Sequence, residues 1–369
     1  MNVLLFICRI LLGVAFAAAG FVKAVDPLGS CYKFTDYFNL AFDMPSLAQF
    51  SLPLAFLLSA LEFTTGIMLI FKLKPRWAAW MALAFMIVFT PLTLYLAFTN
   101  PVHDCGCFGD ALILDNWTTF WKNVVLLAMA IIVVIKRKNM DNPLSDNAEL
   151  GIAAAVFCLC LVFQHIMLRH LPIFDFRPYK IGNNIAEKMA FPEGAPRDVY
   201  KTILVYENSE TGEVKEFDAE NYPWDDSTWV WKDTKSQLVT KGFVPEVHDF
   251  TMTDTAGNDY TDQVLNLEKP VLLVVMHKLE KSDVDGLDKL RYIQSYAEKK
   301  GYAILGMTSS SWDMVDRIKG EFALDFPFFQ SDDITLKTIV RANPGIVKLE
   351  KGTVTGKWNF RDFKTDKNL

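Results

Sequence analysis

Five long runs of apolar residues constrain this chain more than any other feature. A helix that crosses a bilayer needs ~20 mostly apolar residues, because the hydrocarbon core is ~30 Å thick and each helical residue rises ~1.5 Å. Residues 3–24, 49–71, 77–98, 117–135 and 150–168 meet that requirement. In lipid such a run satisfies its backbone polar groups only by forming a helix. The first run carries Ala17-Ala18-Ala19, which is similar to a signal-cleavage site. No basic cluster precedes it and Arg9 lies inside it, so it reads as a retained span.

Charge divides the chain in two. Of 37 Lys+Arg and 43 Asp+Glu, residues 1–170 hold only 11 and 10. A membrane half followed by a charged soluble half is the simplest reading. The 29 Phe, 9 Trp and 11 Tyr exclude a disordered chain, and the net charge of −6 argues against a nucleic-acid partner.

The positive charges orient the spans. Lys72-Leu73-Lys74-Pro75-Arg76 follows span two, and Lys136-Arg137-Lys138 follows span four. Basic connections face the cytoplasm. The other two connections carry Lys23, Asp26, Lys33 and Asp36, or Asp104, Asp110 and Asp115. The expected topology is therefore multi-pass in a bacterial inner membrane, N-terminus inside and C-terminal domain in the periplasm. Membrane lipid is one partner by necessity. The periplasm is oxidising, so cysteines exposed there carry redox meaning.

The outer connection between spans three and four reads His103-Asp104-Cys105-Gly106-Cys107-Phe108-Gly109-Asp110. Two thiols one Gly apart can close only a small ring, and Gly106 and Gly109 permit the turn this demands. Cys105 and Cys107 are the candidate redox pair, set at the membrane surface within reach of a lipid-soluble acceptor such as a quinone. Cys31, in the other outer connection, is a third candidate for thiol exchange. A static disulfide or a metal site with His103 as a further ligand are the alternatives. Cys8, Cys158 and Cys160 fall within spans and read as packing residues.

Glu62 lies in the middle of span two. An intramembrane carboxylate is costly and marks a functional site by default. Proton transfer or a hydrogen bond to a quinone headgroup is one reading; a structural bond to Thr90 or Thr93 is the other. Gln164 and His165, near the outer end of span five, are candidates to line the same cavity. Trp77, Trp80, Trp117 and Trp121 read as an interfacial belt.

These residues carry a resemblance. Gly20-Phe21-Val22-Lys23 with Asp26-Pro27, then Tyr37-Phe38, Glu62 and Gly66, are similar to the DoxX/DoxD group of membrane proteins. Cys105-Gly106-Cys107-Phe108-Gly109 resembles the loop of MauE proteins of the same superfamily. The resemblance covers residues 1–138 and implies a four-helix bundle tied to periplasmic thiol or quinone redox chemistry, or to maturation of an exported partner.

In the second half, Lys201–Tyr206 and Glu213–Phe217 alternate around a turn and predict a hairpin. Val271–Met276 and Tyr302–Met307 read as buried strands, and Asp285–Lys300, Asp313–Phe322 and Ile334–Val340 as helices. A hairpin, Ile346–Glu350 with Val354–Trp358, closes the pattern. This order resembles the thioredoxin fold of TlpA and peroxiredoxin-like proteins, with Asn343-Pro344-Gly345 where that family places a cis-proline. The Cys-x-x-Cys of the family is missing: His277-Lys278-Leu279-Glu280 follows Met276, and no Cys occurs after Cys160. The resemblance therefore implies recognition of a partner rather than thiol exchange, with His277 as a polar loop residue.

The expected fold is thus an α-helical membrane bundle, four DoxX/MauE-like helices plus a fifth transmembrane helix, with an extracytoplasmic α/β thioredoxin-like domain. The expected boundaries are 1–138, 139–170 for a cytoplasmic linker and the fifth helix, 171–240 for a β-containing connection, and 241–369. The expected function is thiol–disulfide exchange through Cys105 and Cys107, with electrons passing to quinone near Glu62. A non-catalytic assembly factor that binds an exported protein, and a DoxD-type quinone-oxidoreductase subunit in a homo- or hetero-oligomer, are the alternatives.

Overall fold

The computed structural model describes residues 3–102, 105–140, 144–197, 199–240 and 242–364. His103 and Asp104, and with them the metal reading that includes His103, lie outside the described residues. Contacts divide the chain into Met1–Asn183 with Thr251–Leu369, and a separate unit Asn184–Phe250.

Among the described residues, five helices are long and apolar enough to cross a membrane: α1 (Val3–Val25), α3 (Ser51–Phe71), α4 (Pro75–Thr99), α5 (Asn116–Ile135) and α6 (Asp146–Arg169). Small residues set the closest contact among them. A Cβ on Gly20 of α1 would lie 2.3 Å from the Phe63 nitrogen, and one on Gly66 of α3 would lie 2.3 Å from the Ala17 nitrogen. The two helix backbones touch, as membrane helices do where small residues meet. Arg9 is buried and donates to the Leu69 and Ile70 carbonyls at the end of α3. At that same end the Lys74 ammonium lies 2.8 Å from Asp146, and Glu149 of α6 accepts from the Lys74 amide.

The connection after the first span, read from the sequence as a loop, opens with a helix. Asp26 caps α2 (Pro27–Asp36) by accepting from the Gly29 amide at 2.9 Å, and Pro27 takes the first helical position. That Asp-Pro pairing is a helix-start signal that the local polarity obscured.

The unit Asn184–Phe250 holds α7 (Ile185–Met189) and a sheet ordered β2-β1-β3, from β1 (Val199–Asn208), β2 (Val214–Asp218) and β3 (Trp229–Thr240). The predicted hairpin is β1–β2, in register from Ile203↔Asp218 to Glu207↔Val214. Strand β3 escapes sequence reading because its residues are almost all exposed, which leaves no apolar period to detect.

The C-terminal part begins with α8 (Thr261–Leu265) and builds a five-stranded sheet: β4 (Val271–Met276), β5 (Ala303–Thr308), β6 (Phe328–Gln330), β7 (Gly345–Glu350) and β8 (Thr353–Asn359). The order is β6-β5-β4-β7-β8, with β4, β5 and β6 parallel and β7 and β8 antiparallel to their neighbours. Helices α9 (Val284–Lys300), α10 (Trp312–Phe322) and α11 (Asp333–Ile339) connect the strands. Strand β4 is buried throughout, as a central parallel strand must be. The Asn343–Pro344 peptide is cis. This is the thioredoxin-like arrangement, with the short β6 as the strand missing from the sequence reading.

Candidate functional site

Cys105 and Cys107 are joined as a disulfide. Gly106 between them has φ +64°, a left-handed conformation that suits Gly. A Cβ there would also lie 3.1 Å from Cγ of Lys33, whose stem covers the turn. Tyr37 donates its hydroxyl to the Cys105 carbonyl, and the Gly109 amide closes the turn on the Gly106 carbonyl at 3.0 Å. The loop is anchored at its start by Asn116, which donates to Asn100 Oδ1 and the Val102 carbonyl, both at 2.9 Å.

Glu62 does not bond Thr90 or Thr93. Its two oxygens accept from the Lys23 ammonium at 2.9 and 2.7 Å, and its side chain is 2% exposed. Lys23, read from the sequence as an outer-loop charge, lies in the last turn of α1. The pairing follows from the close crossing of α1 and α3: Gly20 sits on the Phe63 backbone, which brings the residue one turn later beside Glu62. Thr93 instead accepts from Asn123 at 3.2 Å, tying α4 to α5.

The disulfide and the ion pair line one cavity of about 90 Å³. Phe16, Phe34, Leu58, Met86, Phe89, Leu92 and Leu126 supply apolar walls, and Lys23, Glu62, Tyr37, Thr93, Lys122 and Asn123 supply polar groups. Lys122 and Asn123 were not recognised from sequence, because span four reads as apolar and the attention there falls on its Trp residues. A charged residue inside a span was the available signal. Gln164 and His165 do not line this cavity: Gln164 pairs instead with Ser59, 2.7 Å away. Cys31 is a free thiol on α2 and is likewise absent from the lining. Burial pushes its thiol up, only partly offset by Thr35 and Lys337, so it is a weaker nucleophile than an ordinary Cys. Cys8 and Cys160 are buried and free, as packing residues are, while Cys158 is exposed.

The thioredoxin-like part meets this site with the end of its sheet that holds the cis-proline. Arg341 donates to Asp26 Oδ2 and Asp110 Oδ2, each at 2.8 Å, and to the Lys337 carbonyl at 2.6 Å. One guanidinium thus joins the cap of α2 to the disulfide loop. Burial pushes the Asp26 carboxyl up, but Arg341 and Arg177 outweigh it and hold it below the usual carboxylate range. Burial also disfavours the Arg341 charge, and Asp26 and Asp110 more than restore it. Beside this, Tyr32 packs edge-on to His277, with ring centroids 6.3 Å apart, and the Lys337 ammonium lies 4.9 Å from the Tyr32 ring centre. Burial pushes the Tyr32 phenol up to about 12. His277 therefore occupies the position of the missing redox motif as a packing and hydrogen-bonding residue, 3.2 Å from Asp333. Burial lowers its pKa and Asp333 only partly restores it.

Two family models match segments of the chain. The family described as methylamine utilisation protein MauE matches residues 1–136, and a domain of unknown function matches residues 200–241. No curated protein matches the chain. A Bacteroides thetaiotaomicron structure provisionally described as a protein disulfide isomerase is 16% identical, covering 32% of this chain and 78% of its own, with TM-score 0.26. A thioredoxin-like protein from Bacteroides caccae is 11% identical, covering 83% and 79%, with TM-score 0.21. The thioredoxin-like assignment rests on strand order and the helical connections. The chain thus combines a MauE-like membrane region with a thioredoxin-like domain.

Proposed function

We propose that this chain is a membrane thiol–disulfide oxidoreductase of the DoxX/MauE kind, oxidising dithiols of an exported protein and passing the electrons to a membrane quinone. One observation carries the reading: the Cys105–Cys107 disulfide and the buried Lys23–Glu62 pair line the same apolar-walled cavity. A partner thiolate attacks one sulfur of the pair, and the other sulfur leaves as a thiolate. The partner's second thiol resolves the mixed disulfide and leaves Cys105 and Cys107 reduced. Two electrons and two protons must then leave the pair. A quinone supplies the electron acceptor for that step. The cavity suits such a group, with aromatic and aliphatic walls for a ring and tail and a polar end beside the disulfide. Glu62 and Lys23 supply a buried ion pair on the cavity wall. The basic connections after spans two and four support a periplasmic side for the loop.

Thiol trapping in membranes tests this. The pair is expected to be oxidised normally, to accumulate in reduced form when quinone is depleted, and to lose activity in Cys107→Ser. A pair that stays oxidised without quinone and resists mild reductant is structural, and the chain is then an assembly factor.

A further inference from the structure

We infer that Lys122 is a catalytic residue of this cavity, the cation that meets negative charge arriving on the carbonyl oxygen of the quinone; the inference rests on the reading above. Lys122 lies on α5 and lines the cavity with Cys105 and Cys107. Its ammonium sits 4.6 Å from the ring centre of Phe108, the residue that follows Cys107. Among the described residues, no carboxylate lies within 4.0 Å of it. Lys23 differs, because both Glu62 oxygens hold its ammonium. The Lys23 charge is balanced by a direct ion pair; among the described residues Lys122 has a ring face and no such pair.

A cation in a spanning helix is costly. A ring face repays part of that cost, but Glu62 is already committed to Lys23. The geometry leaves the positive charge of Lys122 available to something that enters the cavity and becomes negative there. The redox step has such a species. As the Cys105–Cys107 bond re-forms, two electrons leave the sulfurs and the two carbonyl oxygens of the acceptor gain them. The two protons lost by the thiols complete the hydroquinone product. The Lys122 ammonium donates a hydrogen bond to the oxygen that first becomes negative and keeps its own proton over the cycle. The hydrogen bond is made to the neutral carbonyl oxygen on binding and strengthens as that oxygen becomes negative.

The test uses the full-length protein in nanodiscs, with menadione as the probe. Binding is read from quenching of tryptophan fluorescence, and folding from formation of the Cys105–Cys107 disulfide and from the Tm. Lys122→Met is expected to weaken menadione binding about tenfold and to raise the Tm without menadione, because an unbalanced cation is removed. Lys122→Arg, which keeps the charge, is expected to bind within about threefold of the wild type. A merely structural Lys122 gives the opposite sign in Tm. Menadione binding in Lys122→Met equal to wild type, or a lowered Tm, overturns the inference and leaves the quinone reading intact. Absence of menadione binding by the wild type itself overturns both.

Discussion

Arg341→Ala is the sharpest probe of how the thioredoxin-like part supports the disulfide. The Arg341 side chain is 7% exposed, and its two carboxylate partners, Asp26 and Asp110, are 20% and 34% exposed. Removing one partner of a fully buried ion pair costs ~3–5 kcal/mol, because the charge left behind is desolvated. Here water reaches both carboxylates in part, so about 2–3 kcal/mol is expected. That energy falls on a local contact, since Arg341 lies outside the apolar core of the domain around Leu272, Leu290 and Ile346. At ~1.4 kcal/mol per decade, it corresponds to a roughly 30- to 150-fold rise in local opening. Hydrogen exchange of the full-length protein in nanodiscs should show faster exchange at residues 105–112 and 27–36, with little change in β4. The contribution also has a pH sign. The Asp26 carboxyl is held below its usual range when folded, so its stabilisation is present above the unfolded carboxylate value. It is lost as the pH falls through the lower folded value. Arg341→Ala should therefore flatten the acid loss of protection. Unchanged exchange at residues 105–112 in Arg341→Ala would refute the clamp.

Other outcomes follow from the same geometry. Glu62→Gln leaves the Lys23 ammonium without its counter-charge; reoxidation of the pair by quinone should slow at least tenfold while the exchange rate with a dithiol peptide stays at the wild-type value, and equal slowing of both steps would remove Glu62 from the acceptor side. Gly20→Ala places a methyl 2.3 Å from the Phe63 backbone, an overpacking expected to cost ~1–3 kcal/mol; Gly151→Ala, with nothing within 4 Å of the new methyl, is the control and should leave the Tm unchanged or slightly higher. Cys31→Ser should keep wild-type turnover, since Cys31 does not line the cavity; loss of turnover would restore it to the redox circuit.

Much of the fold was readable because the physics that sets it is local and strong. An apolar run such as residues 77–98 has one solution in lipid, and the buried run Val271–Met276 stands out as a parallel strand. The exposed strand β3 and the polar helix α2 were missed for the converse reason, since neither buries a periodic apolar face. At the site, the disulfide turn was legible from Cys105-Gly106-Cys107, because its chemistry lies within three residues. The partner of Glu62 was not. Lys23 is 39 positions away, and only the approach of α1 and α3 at Gly20 and Gly66 makes the pair. The same composition that placed Lys23 in a loop hid Lys122, because one charge among the apolar residues of span four barely changes its hydropathy.

The cysteine-free domain is best explained by what its sheet end touches. His277 after β4, Lys337 of α11 and Arg341 before the cis-proline meet Tyr32, Asp26 and Asp110 of the same chain. Asp110 lies three residues beyond Cys107. On the proposed function, a disulfide loop that shifts by an ångström loses its alignment with an acceptor in the cavity. A rigid α/β domain supplies fixed charge at the rim without adding a second thiol pair that competes for electrons. If that is its role, a Cys introduced at His277 should form mixed disulfides or redox heterogeneity that the native chain avoids, while Arg341→Ala should loosen the loop and leave the domain itself folded.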